Sequence, residues 1–119
     1  MRVMIVEDEP LIALAMQMMI EDEGWLVAGP FAAVKPAMDA VAAGETIDCA
    51  LLDCNLGGET SWQLADALIA RKTPFAFTSG QGREDIDPRF GDVKTFPKPV
   101  DERRVKQFLL QIAEQTARA

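Results

Sequence analysis

Six side chains that carry a charge or a hydroxyl group lie at or just after the ends of short apolar runs. They are Glu7, Asp8, Asp53, Thr78, Ser79 and Lys98. If the apolar runs are parallel strands, their carboxyl ends meet at one edge of a sheet, and these side chains converge there. Three carboxylates at one point repel one another strongly unless a cation joins them. The sequence therefore predicts an acidic site that binds a divalent cation and contains one lysine.

The residue types at this site favour phosphoryl chemistry. Carboxylate oxygens suit Mg²⁺, and the chain contains no histidine, which excludes imidazole metal sites and histidine-based triads. A metal at such a site offsets the charge of an incoming phosphoryl group, and a carboxylate such as Asp53 can accept that group. Lys98 can contact a phosphate or a carboxylate, and the hydroxyl groups of Thr78 and Ser79 are donors. Positioning and charge stabilisation of this kind are what phosphoryl transfer needs.

The segments between these residues alternate between short apolar runs and longer amphipathic ones, which is typical of βαβ units. The pattern predicts strands at residues 2–6, 25–29, 47–52, 75–78 and 93–96. It predicts helices at residues 10–23, 34–43, 61–71 and 100–117, with a loop at 55–60. Residues 83–91 contain Pro88 and no apolar period, so a fourth crossover helix there would be short or irregular. We predict an α/β fold: a doubly wound, five-stranded parallel sheet with the flavodoxin-like order 2-1-3-4-5.

Length and charge limit the function classes. The 119 residues are about one domain's worth, and we expect a single domain over 1–119. A formal net charge of −7 without a basic run argues against nucleic acid as a partner. No apolar run reaches the ~18 residues of a membrane span, and no secretory signal is present, so we expect a cytoplasmic location. Cys49 and Cys54 would lie on opposite faces of a strand, which predicts two reduced cysteines.

Four sequence motifs resemble those of CheY-like bacterial response-regulator receiver domains, and together they span essentially the whole chain. In order they are VEDEP, LLDCNLGG, FTSG and FPKP. The resemblance implies that Asp53 is the phosphoacceptor. It implies that Asp8 binds Mg²⁺ directly, that Glu7 reaches the metal more weakly or through water, and that the backbone carbonyl of Asn55 completes the protein ligands.

The same resemblance implies roles for the remaining site residues and for partners. Thr78 would be the switch hydroxyl that moves towards the bound phosphoryl group, and Lys98 would pair with that group. The phosphodonor would be a sensor histidine kinase, a phosphotransfer protein or a small molecule. The signal would pass to a downstream protein that the sequence does not identify.

The chain departs from the usual receiver pattern in ways that bear on its mechanism. Glu7 stands where Asp is commoner, which lengthens the reach to a metal. Thr95 stands where receivers usually have a switch Tyr or Phe, and Phe96 is predicted on the opposite face of its strand. The stretch PFAFTSGQG resembles the PFxFATGY stretch of a subfamily that lacks the switch aromatic, although Gln81 stands where Tyr would be. That subfamily is associated with HWE-type histidine kinases.

Two other function classes remain open at this stage. One is a Mg²⁺-dependent phosphatase with an aspartyl-phosphate intermediate, although such enzymes usually have a second Asp where this chain has Asn55. The other is an interaction module that keeps the fold but no longer accepts phosphate. The side chain of Asn55 is also open: it could position water for hydrolysis, or satisfy backbone groups of its loop.

Two features of the chain concern how it contacts partners. The first helix carries two apolar stripes, and either could face the sheet, leaving the other for a partner or for the last helix. The stripes are Leu11, Leu14, Ala15 and Met18, and Ile12, Met16, Met19 and Ile20. The segment 81–92 has no apolar stripe, which predicts few buried contacts. We therefore expect phosphorylation to order or shift this segment.

Overall fold

A computed structural model describes residues 1–118 of the chain. Its main sheet is parallel and contains five strands: β1 (Arg2–Val6), β2 (Leu26–Phe31), β3 (Cys49–Asp53), β6 (Phe75–Ser79) and β7 (Thr95–Pro97). Two shorter strands, β4 (Asn55–Leu56) and β5 (Glu59–Thr60), form a separate sheet. The strand order in the main sheet is β2-β1-β3-β6-β7. Numbered within this sheet alone, the order is 2-1-3-4-5, so the predicted topology is confirmed.

Helices cover both faces of the sheet. They are α1 (Pro10–Asp22), α2 (Val34–Ala42), α3 (Trp62–Ala70) and α4 (Glu102–Arg118). Alternate residues of each central strand enter different cores: Val3 and Ile5 pack with α1 and α4, and Met4 and Val6 pack with α2 and α3. Burial on both faces explains why the strands are continuous apolar runs rather than alternating ones. Among the described residues, no helix is long and apolar enough to cross a membrane.

The two cysteines follow the period of their strand. Cys49 is buried in the core on the α1 and α4 side, and Cys54 is buried in the other core. Both are free thiols, as predicted. Burial raises the pKa of Cys49 to about 12 and also raises the pKa of Cys54, so neither is poised as a thiolate.

The loop predicted at residues 55–60 is instead a small antiparallel hairpin, formed by β4 (Asn55–Leu56) and β5 (Glu59–Thr60). Its two central residues, Gly57 and Gly58, have φ angles of 63° and 93°. Glycine adopts positive φ without a steric penalty, which allows a two-residue connection. The prediction of a loop was wrong because two-residue strands are too short to show an alternating pattern.

The segment between β6 and β7 contains two short 3₁₀ turns, Gly82–Asp85 and Pro88–Phe90, in place of a regular helix. This confirms the irregular fourth helix, but the prediction of few buried contacts was wrong. Ile86 and Phe90 are only 7% and 3% exposed and belong to the core on the α2 and α3 side. The ring of Phe90 lies 5.6 Å from the rings of both Trp62 and Phe77, measured between centroids. Single apolar side chains therefore anchor a segment that has no apolar period.

The structure decides which stripe of α1 faces the sheet. Met16 and Ile20 are buried, and Ile12 and Met19 pack against the same core. The other stripe is exposed: Leu11 is 82% exposed, Leu14 51% and Met18 55%. In the described structure, α4 does not cover it.

Candidate functional site

Three strand ends bring the predicted charged residues together. Glu7 and Asp8 follow β1, Asp53 is the last residue of β3, and Lys98 follows β7. The Lys98 Nζ atom lies 2.8 Å from Asp53 Oδ2 and 3.1 Å from Glu7 Oε1. Each of the three acidic residues offers one carboxylate oxygen, and these oxygens all lie within 4.8 Å of one another. The side chains thus converge as predicted.

Glu7 is buried among these charges, with only 2% of its surface exposed. Burial raises its pKa to about 7, opposed by the backbone hydrogen bond that Glu9 N donates and reinforced by the charge of Asp53. Its Oε1 atom accepts no hydrogen bond in the described structure, because Lys98 approaches it outside hydrogen-bonding geometry. A buried carboxylate oxygen without a donor is costly.

This donor set fits Mg²⁺. Hard oxygen ligands at separations below 5 Å, together with the undonated oxygen of Glu7, suit a small divalent cation. Asp8 is the most accessible of the three acidic residues, so a metal can reach it from solvent. The resemblance to receiver domains implies Mg²⁺ in an acidic pocket, and these residues fit that expectation.

Lys98 carries the only basic side chain that the structure brings within salt-bridge distance of these three described carboxylates. Burial lowers the pKa of its ammonium group, but the hydrogen bonds to Asp53 and Glu7 together outweigh that effect. Its pKa therefore lies above the ordinary value, and the group remains a cation at neutral pH. It partly neutralises the site and competes with a metal for the same oxygens.

Thr78 lies directly beside Asp53, because the two residues are paired in the register of β3 and β6. Its side chain is 1% exposed, and within the described residues its hydroxyl oxygen has no hydrogen-bond partner. An unpaired buried hydroxyl costs roughly 1–3 kcal/mol. An oxygen-rich group bound at Asp53 would offer it an acceptor.

Ser79 does not join the site, although the sequence predicts a hydroxyl donor there. Its Oγ lies 2.7 Å from the carbonyl oxygen of Gly82 and 2.6 Å from Asp85 Oδ2. The amide of Gln81 donates to the same carboxylate oxygen at 2.9 Å. We call this set of contacts between Ser79, Gln81 and Asp85 the clasp. The sequence analysis did not identify Asp85, because nothing in the sequence of a polar loop indicates which residue an acidic side chain will contact.

Asn55 lies at the start of the hairpin, two residues after Asp53. Its main-chain amide donates to Asp53 Oδ1 at 3.1 Å, and its side-chain Oδ1 accepts from the amide of Gly58 at 2.8 Å. Of the two uses left open for this side chain, the structure shows the one in which it satisfies the backbone of its own loop.

Comparison with known proteins identifies the family. The family model for the response regulator receiver domain matches residues 3–109. The chain belongs to this family. A search of curated proteins found no match.

Similar receivers of known structure include SdrG from Sphingomonas melonis Fr1, solved in solution. It is 38% identical, has a TM-score of 0.81, and aligns over 94% of this chain and 95% of its own. The BeF3-activated conformation of SdrG from Pseudomonas melonis Fr1 is 39% identical, with a TM-score of 0.75 and 92% of both chains covered. The receiver domain of PhyR from Erythrobacter litoralis is 26% identical, with a TM-score of 0.78, covering 94% of this chain and 88% of that domain.

Family membership excludes one of the two alternative function classes. Receivers are signalling domains of two-component systems and not classical enzymes, which removes the phosphatase alternative. Members of this family interact with histidine kinases or phosphotransfer proteins.

Proposed function

We propose that this receiver accepts a phosphoryl group on Asp53, with Mg²⁺ bound, and signals by protein–protein contact. One observation carries the proposal: Asp53, within a cluster of three carboxylate oxygens less than 4.8 Å apart, has the Lys98 ammonium 2.8 Å from its Oδ2. This arrangement provides an acceptor oxygen, a place for a divalent cation and a fixed positive charge. These are the parts that phosphoryl transfer requires.

The transfer is a simple displacement at phosphorus. A carboxylate oxygen of Asp53 forms the new P–O bond, while the P–N bond of a phosphohistidine, or the P–O bond of acetyl phosphate, breaks. The electron pair of that bond leaves with the imidazole or the acetate. Hydrolysis of the resulting acyl phosphate returns the carboxylate and inorganic phosphate, so this chain needs no other substrate to reset.

The side chains around Asp53 divide the work. Asp8, Asp53 and the carbonyl of Asn55 would hold Mg²⁺, with Glu7 contributing more weakly; bound there, it would offset the charge of the phosphoryl oxygens. Lys98 pairs with the transferred group, and the unpartnered hydroxyl of Thr78 donates a hydrogen bond to it.

The phosphodonor protein docks on the exposed stripe of α1. A groove of about 260 Å³ runs between α1 and the start of α4, and its apolar lining includes Leu11, Pro99 and Val100. Leu11 is three residues from Asp8, and Pro99 is next to Lys98, so the groove adjoins the phosphorylation site. A helix of a histidine kinase or phosphotransfer protein, placed in this groove, would bring its phosphohistidine to Asp53. We propose an HWE-type histidine kinase as the phosphodonor, because the PFAFTSGQG stretch resembles that of the receiver subfamily associated with such kinases.

The signal leaves through the segment between β6 and β7. Thr95 is too small to act as a switch ring, and Phe96 is buried on the α1 and α4 side of the sheet. The clasp is adjacent to Thr78 in the chain, so a shift of Thr78 towards a phosphoryl group disturbs Ser79 and its contacts with Asp85. The first 3₁₀ turn, Gly82–Asp85, then moves relative to the buried anchors Ile86 and Phe90. Of the two responses expected from the sequence, ordering or shifting, the buried anchors of this segment favour a shift.

Beryllofluoride, which mimics a phosphoryl group on a carboxylate, tests this proposal. Beryllofluoride with Mg²⁺ should change the amide resonances around Asp53, Thr78 and Lys98, and Asp53→Asn should abolish the change. A relative has been studied in a BeF3-activated conformation, which makes the reagent a suitable probe here. No response in the folded wild-type protein would contradict the proposal. A cytoplasmic location, a single domain over 1–119 and the absence of nucleic acid binding accompany it as predictions.

A further inference from the structure

The hairpin of β4 and β5 lies against the metal-binding carboxylates. A Cβ atom built on Gly57 would stand 3.9 Å from Asp8 Oδ2, so the tip of the hairpin is close to that side chain. Its first residue, Asn55, donates its main-chain amide to Asp53 Oδ1. The geometry of the hairpin and that of the acidic site are therefore linked.

The hydrogen-bond pattern of the hairpin leaves the carbonyl oxygen of Asn55 outside its ladder. Asn55 lies opposite Thr60, and Ser61 N donates to Cys54 O at 3.1 Å. That bond marks the Asn55–Thr60 pair as non-hydrogen-bonded, so the N–H and C=O groups of Asn55 both point away from β5. Its N–H group faces Asp53, and its carbonyl faces the same side.

Two features hold this carbonyl in place. The Asn55 side chain accepts from Gly58 N at 2.8 Å, which closes a turn across the tip of the hairpin. Leu56, the next residue, is 6% exposed and anchors the strand in the core. A substitution at Asn55 removes the side-chain bond to Gly58 and leaves the packing of Leu56 in the core unchanged.

We infer that the Asn55 side chain is a positioning group: its bond to Gly58 N fixes the hairpin so that its own backbone carbonyl is preset for Mg²⁺. This rests on the proposed function, since it presumes a metal at Glu7, Asp8 and Asp53. The side chain then serves to position the metal-binding carbonyl, and not to position water for hydrolysis of the acyl phosphate. Preorganisation of this kind lowers the cost of binding.

Three substitutions separate these roles. Asn55→Ala removes both the acceptor and the amide. Asn55→Gln keeps an amide, but its extra methylene moves the acceptor out of the turn. Asn55→Ser removes the amide but keeps an acceptor that forms the same turn more weakly. Thr60→Ala, at the exposed position opposite Asn55, is the matched control. Mg²⁺ affinity of the folded, unphosphorylated proteins is measured by following amide resonances during titration with MgCl₂.

We expect Asn55→Ala and Asn55→Gln to weaken Mg²⁺ binding by about three- to tenfold, the effect of one lost hydrogen bond. The Mg²⁺ affinity of Asn55→Ser should lie closer to that of the wild type, and the affinity of Thr60→Ala should equal that of the wild type. Wild-type Mg²⁺ affinity in either Asn55→Ala or Asn55→Gln would overturn the inference. It would also be overturned if the variants that lack the Asn55 amide changed the lifetime of the phosphoryl group but left Mg²⁺ affinity constant. A wild-type chain that binds no Mg²⁺ would overturn the proposed function as well, so the two failures are distinguishable.

Discussion

Removing the carboxylate of Asp85 should release the clasp that holds the segment between β6 and β7. Asp85 Oδ2 accepts from Gln81 N at 2.9 Å and lies 2.6 Å from Ser79 Oγ. Ser79 has a single hydroxyl proton and can donate it to Gly82 O at 2.7 Å instead, so the bond lost outright is the one from Gln81 N. Its loss should lower the local opening free energy by about 0.5–1.5 kcal/mol. That corresponds to an increase of about two- to tenfold in amide exchange, where exchange reports the open population.

Hydrogen exchange in the metal-free protein measures this effect. The amide of Ile86, which donates to Arg83 O at 3.1 Å within the first turn, should respond most to Asp85→Ala. The amide of Phe90 should respond less, because its ring is buried and the neighbouring Arg89 forms an ion pair with Asp66 at 2.7 Å. The response should therefore decline along the segment.

Glu84→Ala is the matched control, since it removes the same charge from an exposed neighbour on the same turn. It should leave exchange at Ile86 close to wild type. Equal acceleration in Asp85→Ala and Glu84→Ala would show that charge, and not the clasp, controls the segment. Unchanged exchange in Asp85→Ala would refute the reasoning altogether.

Three further predictions concern the metal, pH and docking. Asp8→Ala should weaken Mg²⁺ binding far more than Glu7→Gln in a calorimetric titration, because we propose Asp8 as the direct ligand; equal losses would overturn that assignment. In metal-free buffer the free energy of unfolding should fall between pH about 4.5 and about 7 and then level off, because folded Glu7 holds its proton up to a pKa of about 7 while the unfolded group releases it near 4.5. Urea unfolding should show that the free energy of unfolding falls by up to about 3 kcal/mol over this pH range in the wild type and not in Glu7→Gln. The same dependence of the free energy of unfolding on pH in both proteins would exclude Glu7 as its source. Leu11→Glu, in the groove beside α4, should slow phosphotransfer from a cognate kinase but not from acetyl phosphate, whereas Ile69→Glu, exposed on α3, should change neither; matching effects of the two would rule out docking on α1.

The sequence predicted the elements and the convergence of the acidic site because both depend on strong, local signals. Continuous apolar runs identify buried parallel strands, and their carboxyl ends define the site whatever the loops do. Asp53 and Lys98, 45 residues apart, meet for that reason alone.

The remaining features depend on contacts that no local pattern encodes. Ile86 and Phe90 are buried as isolated apolar residues on either side of Pro88, so no period marks them. The bond between Ser79 and Asp85, six positions apart, depends on how the intervening loop folds back. The exposed stripe of α1 was ambiguous because its two stripes have similar composition, and only the packing of Met16 and Ile20 distinguishes them.

The most direct test of the central claim is phosphorylation of Asp53 itself. The wild-type protein, incubated with acetyl phosphate and Mg²⁺, should gain the mass of one phosphoryl group, and chelation of the metal should prevent it. Asp53→Asn should remain folded and gain none, because an amide oxygen cannot form a stable acyl phosphate. Labelling of Asp53→Asn to the wild-type extent would contradict the account, since the acceptor would then lie elsewhere in the chain.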